Sequence, residues 1–162
     1  METQMKNFKW QQALLLVLRF MIGWHLLYEG IFKLYSDGWS AFGYLSEARW
    51  IFSGVADWII SNPGVLQSVD FLNTWGLVAI GLGLVLGLFT RTAAIAGFVL
   101  LMLYYLFNPP LIGIIPAGPQ EGNYMVINKT LIEAFMLLLI AVTPAARAYG
   151  LDMLIKNRSM NK

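Results

Sequence analysis

Apolar residues in this chain come in long runs separated by short polar or proline-rich breaks, not in the strict alternation of a half-buried strand. The first run, Trp10 to Leu34, covers 25 residues, more than the about 20 that a helix needs to cross a bilayer. Between Asp70 and Arg91 lie 20 residues without formal charge, Phe71 to Thr90, rich in leucine and glycine. A third run starts at Thr92 and passes Phe107, where Asn108-Pro109-Pro110 removes backbone donors and ends the helix; Pro116 and Pro119 extend the break. The fourth begins near Met125 and is closed by Pro144. Spans are therefore predicted over about 10–34, 71–90, 92–108 and 125–144, with 145–162 as a tail.

The connection over 35–70 is too polar to span, carrying Asp37, Glu47, Arg49 and Asp57, yet it holds Trp39, Phe42, Tyr44, Trp50, Phe52 and Trp58. Aromatic rings with a polar edge favour the headgroup level, which predicts one or two short helices in the interface, broken at Asn62-Pro63-Gly64. A small cap packed on the bundle is the other arrangement the pattern allows. The predicted fold is all-α: a polytopic membrane four-helix bundle in one domain, 1–162, with an interfacial aromatic-rich helical loop between helices one and two.

Composition agrees, since charged residues make up 12% of 162 positions and hydrophobic ones 58%, whereas a soluble domain carries roughly 25% charge. A net charge of +2 without a basic stripe excludes a nucleic-acid binder. With no cysteine, the chain makes no disulfide, no thiol chemistry and no cysteine-ligated cluster or zinc site of its own. Lys6 and Lys9 ahead of Ala13 to Leu18 imitate a secretory signal, but Arg19 interrupts the run and no small-residue cleavage pattern follows, so a retained first helix is expected. Most lysines and arginines, Arg91 and Arg147 among them, fall on the side of the termini. The positive-inside rule then makes both termini cytoplasmic in a cell inner membrane. Gly76, Gly81, Gly83 and Gly87 in the second span and Gly97 in the third predict close helix packing within one molecule in preference to a dimer face.

Ionisable residues inside the spans carry the most information, because an unpaired charge at the bilayer centre costs about 2.5 to 3.5 kcal/mol even on the lenient insertion scale. Arg19, His25, Glu29 and Lys33 fall on one face of the first helix, and Lys129 and Glu133 stand four apart on the fourth. Alternating helix direction brings Glu29 and Lys33 to the same end as Lys129 and Glu133. Asn73 and Trp75 open the second span there, Tyr104 and Tyr105 close the third, and Glu121, Asn123, Tyr124 and Asn128 precede the fourth. These fourteen residues are the candidate ligand-binding set, with Arg19, about 15 Å deeper than Glu29, as a cavity floor. Pairing between helices one and four is expected among Glu29, Lys33, Lys129 and Glu133.

Five stretches, Leu18 to Leu34, Leu72 to Gly81, Leu88 to Gly97, Tyr104 to Pro110 and Glu121 to Glu133, resemble the DoxX/DoxD family of bacterial and archaeal membrane proteins. The most specific is the last, Glu-Gly-Asn-Tyr followed by Asn-Lys and a helical glutamate. The resemblance implies a four-helix membrane protein and, for the DoxD branch, the membrane subunit of thiosulfate:quinone oxidoreductase working with a DoxA polypeptide. The expected function is an integral membrane subunit of a redox complex that passes electrons from a small donor, thiosulfate in that branch, to quinone. Lysine and arginine would hold an anion, and Trp75, Tyr104 and Tyr105 would flank an apolar ring. The alternative is a non-enzymatic assembly or tethering subunit, or a small-solute carrier, whose buried charges serve packing. Quinone is the cofactor expected. With His25 as the single histidine, neither a bis-histidine haem nor a metal is predicted for this chain alone. The partners expected are the lipid bilayer, a DoxA-like or other redox subunit, and a second copy of the chain if it oligomerises.

Overall fold

Proline, glycine and asparagine set the helix ends in a computed structural model that describes residues 2–48, 50–110, 123–147 and 150–153. Helix α1 covers Glu2–Tyr35, and its Trp10–Tyr35 part is long and apolar enough to cross a membrane. Two short helices follow, α2 (Phe42–Ser46) and α3 (Ser53–Ser61). Helix α4 (Pro63–Leu86) starts with Asn62 as its cap and Pro63 in its first turn, where a missing N–H leaves no bond unmade. It therefore begins well before the uncharged run at Phe71. Helix α5 spans Thr90–Phe107 and stops at Asn108-Pro109-Pro110. Both α4 and α5 are long enough to cross a membrane. A two-residue hairpin, β1 (Asn123–Tyr124) and β2 (Ile127–Asn128), pairs antiparallel with Asn123 opposite Asn128. Helix α6 (Lys129–Val142) and a 3₁₀ turn (Pro144–Arg147) complete the described elements.

The molecule is thus an all-α membrane bundle. Helix α6 has 14 residues, about 21 Å of rise. The apolar run points to a start near Met125, but the Asn128 side chain accepts the Leu131 N–H at 2.8 Å and caps the helix at Lys129. Met125, with φ 57°, instead turns the hairpin. Four helices share the main core, in which Leu26 of α1, Leu77 and Leu84 of α4, Leu101 of α5, and Leu137 and Ile140 of α6 are buried.

Glycine decides how closely the helices approach. A Cβ on Gly81 of α4 would lie 2.5 Å from the Leu27 backbone nitrogen and 2.6 Å from its Cα, so α1 and α4 touch backbone to backbone there. Gly23 and Gly30 of α1 meet Leu84, Val85 and Val78 in the same way, and Gly97 of α5 meets Leu137 and Ile80. Gly76 faces open space. Gly87, at φ 66°, reverses the chain after α4, and the Leu88 N–H closes the end on Gly83 O at 2.8 Å.

Helices α2 and α3 form a small second core of Ala41, Leu45, Ala56 and Ile59 against Val65, Leu66 and Val69 of α4 and Phe107 of α5. The Asp70 carboxylate accepts the Ala41 N–H at 2.7 Å and pins α2 to α4. Tyr44 OH donates to Tyr104 O at 2.5 Å, and Asn108 Nδ2 donates to Tyr44 O at 2.8 Å. The aromatic connection is therefore packed onto the ends of α4 and α5, with Phe42, Trp50 and Trp58 left exposed on its outer side.

Candidate functional site

The candidate polar residues separate into three groups. In the first, Lys33 Nζ of α1 donates to Asn73 Oδ1 of α4 at 3.2 Å and to Tyr104 OH of α5 at 3.5 Å, while Tyr104 OH donates to Asn73 Oδ1 at 2.7 Å. Two donors on one oxygen fix the orientation of the Asn73 amide. The ammonium also lies 4.7 Å from the Trp39 ring centre and 5.4 Å from that of Tyr104, within cation–π range. Acceptors and rings thus take the place of a carboxylate, and Glu29, one turn earlier, makes no ion pair among the described residues. A cavity of about 260 Å³ adjoins Asn73 and Tyr104 under α2 and α3, walled by Leu45, Ile59, Leu100 and Phe107.

The second group ties α1 to α6. His25 Nε2 lies 3.7 Å from Glu133 Oε2, and Lys129 Nζ lies 3.8 Å from Glu133 Oε1. The expected i,i+4 pair on the fourth helix is present, while the interhelical contact falls to His25 and not to Glu29 or Lys33. These three side chains stand at one end of a groove of about 480 Å³ between α1 and α6, whose remaining wall is Leu18, Met21, Ile22, Ile132 and Met136. Glu133 is largely shielded, with 18% of its side chain exposed, against 64% for Lys129. Lys129 thus lies at the open side of the groove's polar end and Glu133 at its inner side.

Arg19 belongs to neither group. It is 7% exposed and donates from Nη1 to Ala146 O at 2.8 Å, at the end of the bundle where α4 turns into α5. Asp152 joins it there, accepting the N–H groups of Phe89 at 2.7 Å and Thr90 at 2.9 Å. Burial works against the charge on Asp152, but these N–H groups and the Arg19 guanidinium outweigh it and hold the carboxyl below its ordinary value. A depressed carboxylate stabilises the fold fully above its unfolded pKa and loses that contribution as pH falls through the folded one. The expected result is that wild type melts above Asp152→Asn at neutral pH, and that the gap closes as pH drops below about 4. Thermal unfolding followed by tryptophan fluorescence checks it, and a gap that persists at low pH contradicts it.

The other candidates are placed as follows. Trp75 is half exposed and packs on Phe71, ring centres 6.3 Å apart, on the outer surface. Tyr105 OH donates to Val126 O at 2.7 Å and ties α5 to the hairpin turn. Asn128 is buried and caps α6. Asn123 and Tyr124 form β1, and Glu121 lies outside the described residues. Sequence reasoning missed Asp152, Thr90 and Trp39; the one signal for Asp152 was a lone acid in a basic tail. Among the described residues no group of three histidine, aspartate or glutamate side chains gathers to hold a metal.

A family model described as DoxX matches residues 14–108. Neither the search of curated proteins nor that of solved structures returns a match. The matched stretch holds the whole Lys33–Asn73–Tyr104 group, together with Arg19 and His25, and stops short of α6. Since it covers more than half of the 162 residues and runs through three span-length helices, the chain belongs to the DoxX family and is a multi-pass membrane protein.

Proposed function

We propose that this protein is the membrane subunit of a redox complex that passes electrons from a small donor to quinone, with the quinone seated in the groove between α1 and α6. The observation that carries the reading is the form of that groove: apolar walls along its length and His25, Glu133 and Lys129 at one end. An isoprenoid chain fits the walls, and a ring with two oxygens fits the polar end. When bound, quinone supplies the acceptor chemistry, taking two electrons and two protons to leave as quinol. The chain's own residues then have proton and orientation roles. Glu133 and His25, 3.7 Å apart, would be the acid–base groups beside the ring, and Lys129, 3.8 Å from Glu133, would offset negative charge there. The electrons enter through a DoxA-like or other redox partner. Thiosulfate is the donor the family resemblance names; joining two of these ions through a sulfur–sulfur bond releases two electrons.

In membranes that contain the partner, Glu133→Gln and Lys129→Met are expected to lower donor-dependent quinone reduction by about 100-fold or more, while the protein still inserts and remains folded. Quinone extracted from the purified wild type supports the same reading. If both variants keep full activity and no quinone co-purifies, the reading fails, and the assembly or tethering role replaces it.

Both termini are assigned to the cytoplasmic side of the inner membrane, on the distribution of lysine and arginine. A membrane-impermeant label is expected to reach a cysteine placed at Asn62 from outside intact cells. Labelling only after the cells are broken reverses the orientation.

A further inference from the structure

The cavity of about 260 Å³ between α4 and α5, under α2 and α3, shares no residue with the groove assigned to quinone. A cavity of about 150 Å³ already takes a benzene ring, so this one holds a larger body. Its wall has three polar side chains, Tyr44, Asn73 and Tyr104. Both hydroxyl protons are spent, that of Tyr44 on Tyr104 O and that of Tyr104 on Asn73 Oδ1. Asn73 Oδ1 also accepts from Lys33 Nζ, which leaves Asn73 Nδ2 as the wall's side-chain donor without a partner among the described residues. It is not sealed in, unlike Arg19 Nε and Thr90 Oγ1. Two donors drawing on Oδ1 polarise the amide and strengthen Nδ2–H. Leu72 of α4 and Leu103 of α5 belong to the same wall and are 68% and 43% exposed, so the mouth lies on the outside of the bundle between two span-length helices. The surroundings there are lipid, and whatever enters has first dissolved in it.

We propose that this cavity binds a lipid-soluble carbonyl compound, whose apolar body fills the space and whose oxygen accepts from Asn73 Nδ2. The unspent group is a donor, so the ligand supplies the acceptor, and the Lys33 ammonium behind the amide favours the negative end of a carbonyl dipole. In a space without competing water that bond counts, whereas a hydrocarbon of the same shape leaves the donor unmade. Two sources carry this chemistry: the ester carbonyl of a bilayer lipid whose chain lies in the mouth, and a free lipophilic ketone. The proposal does not depend on the quinone reading.

The test uses the purified full chain in vesicles of ether-linked phosphatidylcholine, which has no carbonyl. Acetophenone is the probe, and isopropylbenzene has its shape without the oxygen. After correction for partition into the vesicles, acetophenone is expected to bind about tenfold more tightly than isopropylbenzene, read from the rise in unfolding temperature with concentration. Asn73→Asp keeps an oxygen for Lys33 and Tyr104 but puts a second oxygen where Nδ2 stands, so the preference should vanish while isopropylbenzene still binds. Ester-linked vesicles without probe separate the sources. A wild-type unfolding temperature higher in ester than in ether lipid, with the difference lost in Asn73→Asp, identifies the lipid ester; an acetophenone preference without that difference identifies the free ketone. The proposal is overturned if wild type prefers neither carbonyl form, or if the preference survives Asn73→Asp. Should Asn73→Asp not fold, photolabelling of wild type with benzophenone decides. Labelling of Leu100 or Phe107 that acetophenone blocks and isopropylbenzene does not supports the site, and labelling that is absent there or insensitive to acetophenone overturns it.

Discussion

Gly81→Val is expected to leave no folded protein. Helices α1 and α4 are in tight contact, and a Cβ at Gly81 would meet the backbone N and Cα of Leu27 at 2.5 and 2.6 Å. A flexible side chain could swing aside, but a helix backbone in the middle of a span cannot. The two helices must separate, which also opens the contacts of Gly23 with Leu84 and of Gly30 with Val78. The cost should exceed the about 1 to 3 kcal/mol usual for an overfilled core. Gly76→Ala, on the same helix with nothing within 4 Å, provides the contrast and should be neutral. Yield of monodisperse protein in detergent, with unfolding temperature, separates the two. Equal behaviour of both variants would show that the helices are not packed this closely.

The second large effect is Asn73→Leu, which keeps the volume and removes the acceptor that Lys33 and Tyr104 share. Lys33 is then left with a 3.5 Å contact to Tyr104 OH and two aromatic rings. A cation in a span that loses its best acceptor should cost about 2 to 3 kcal/mol. Lys33→Met combined with Asn73→Leu removes both members of the pair and should recover most of that loss, since an apolar replacement of a buried polar pair is often near neutral. A double-mutant cycle in a reversible denaturation assay measures the recovery. Additive losses would show that the two side chains do not interact.

The span-length helices and the presence of helices in the aromatic connection were legible because they rest on uncharged runs and on proline, asparagine and glycine punctuation. Helix ends were less so. Nothing local in residues 63–70 distinguishes a polar loop from a helix that projects past the bilayer, and α4 takes the second course because α2 and α3 cover it. Topology correctly gathered Lys33, Asn73 and Tyr104, since antiparallel helices fix depth. It could not fix rotation about each helix axis, which is why Glu133 meets His25 and not Lys33, and why Trp75 faces outward. Arg19 was misplaced for a related reason: its acceptor, Ala146 O, is a backbone atom, and backbone partners leave no mark in a sequence pattern.

The bonds that satisfy α1 span 40 residues from Lys33 to Asn73, 71 to Tyr104 and 127 from Arg19 to Ala146. This ordering matters while the chain is being made. Helix α1 leaves the ribosome before α4, α5 and α6 and carries its cations toward the bilayer before any of those acceptors exists. Until α4 and α5 arrive, Lys33 lacks Asn73 and Tyr104, and Arg19 waits until Ala146 has been made. A nascent chain halted before Pro144 therefore holds an arginine in its first helix with no partner, which gives an insertion or quality-control factor a simple chemical mark of an unfinished molecule.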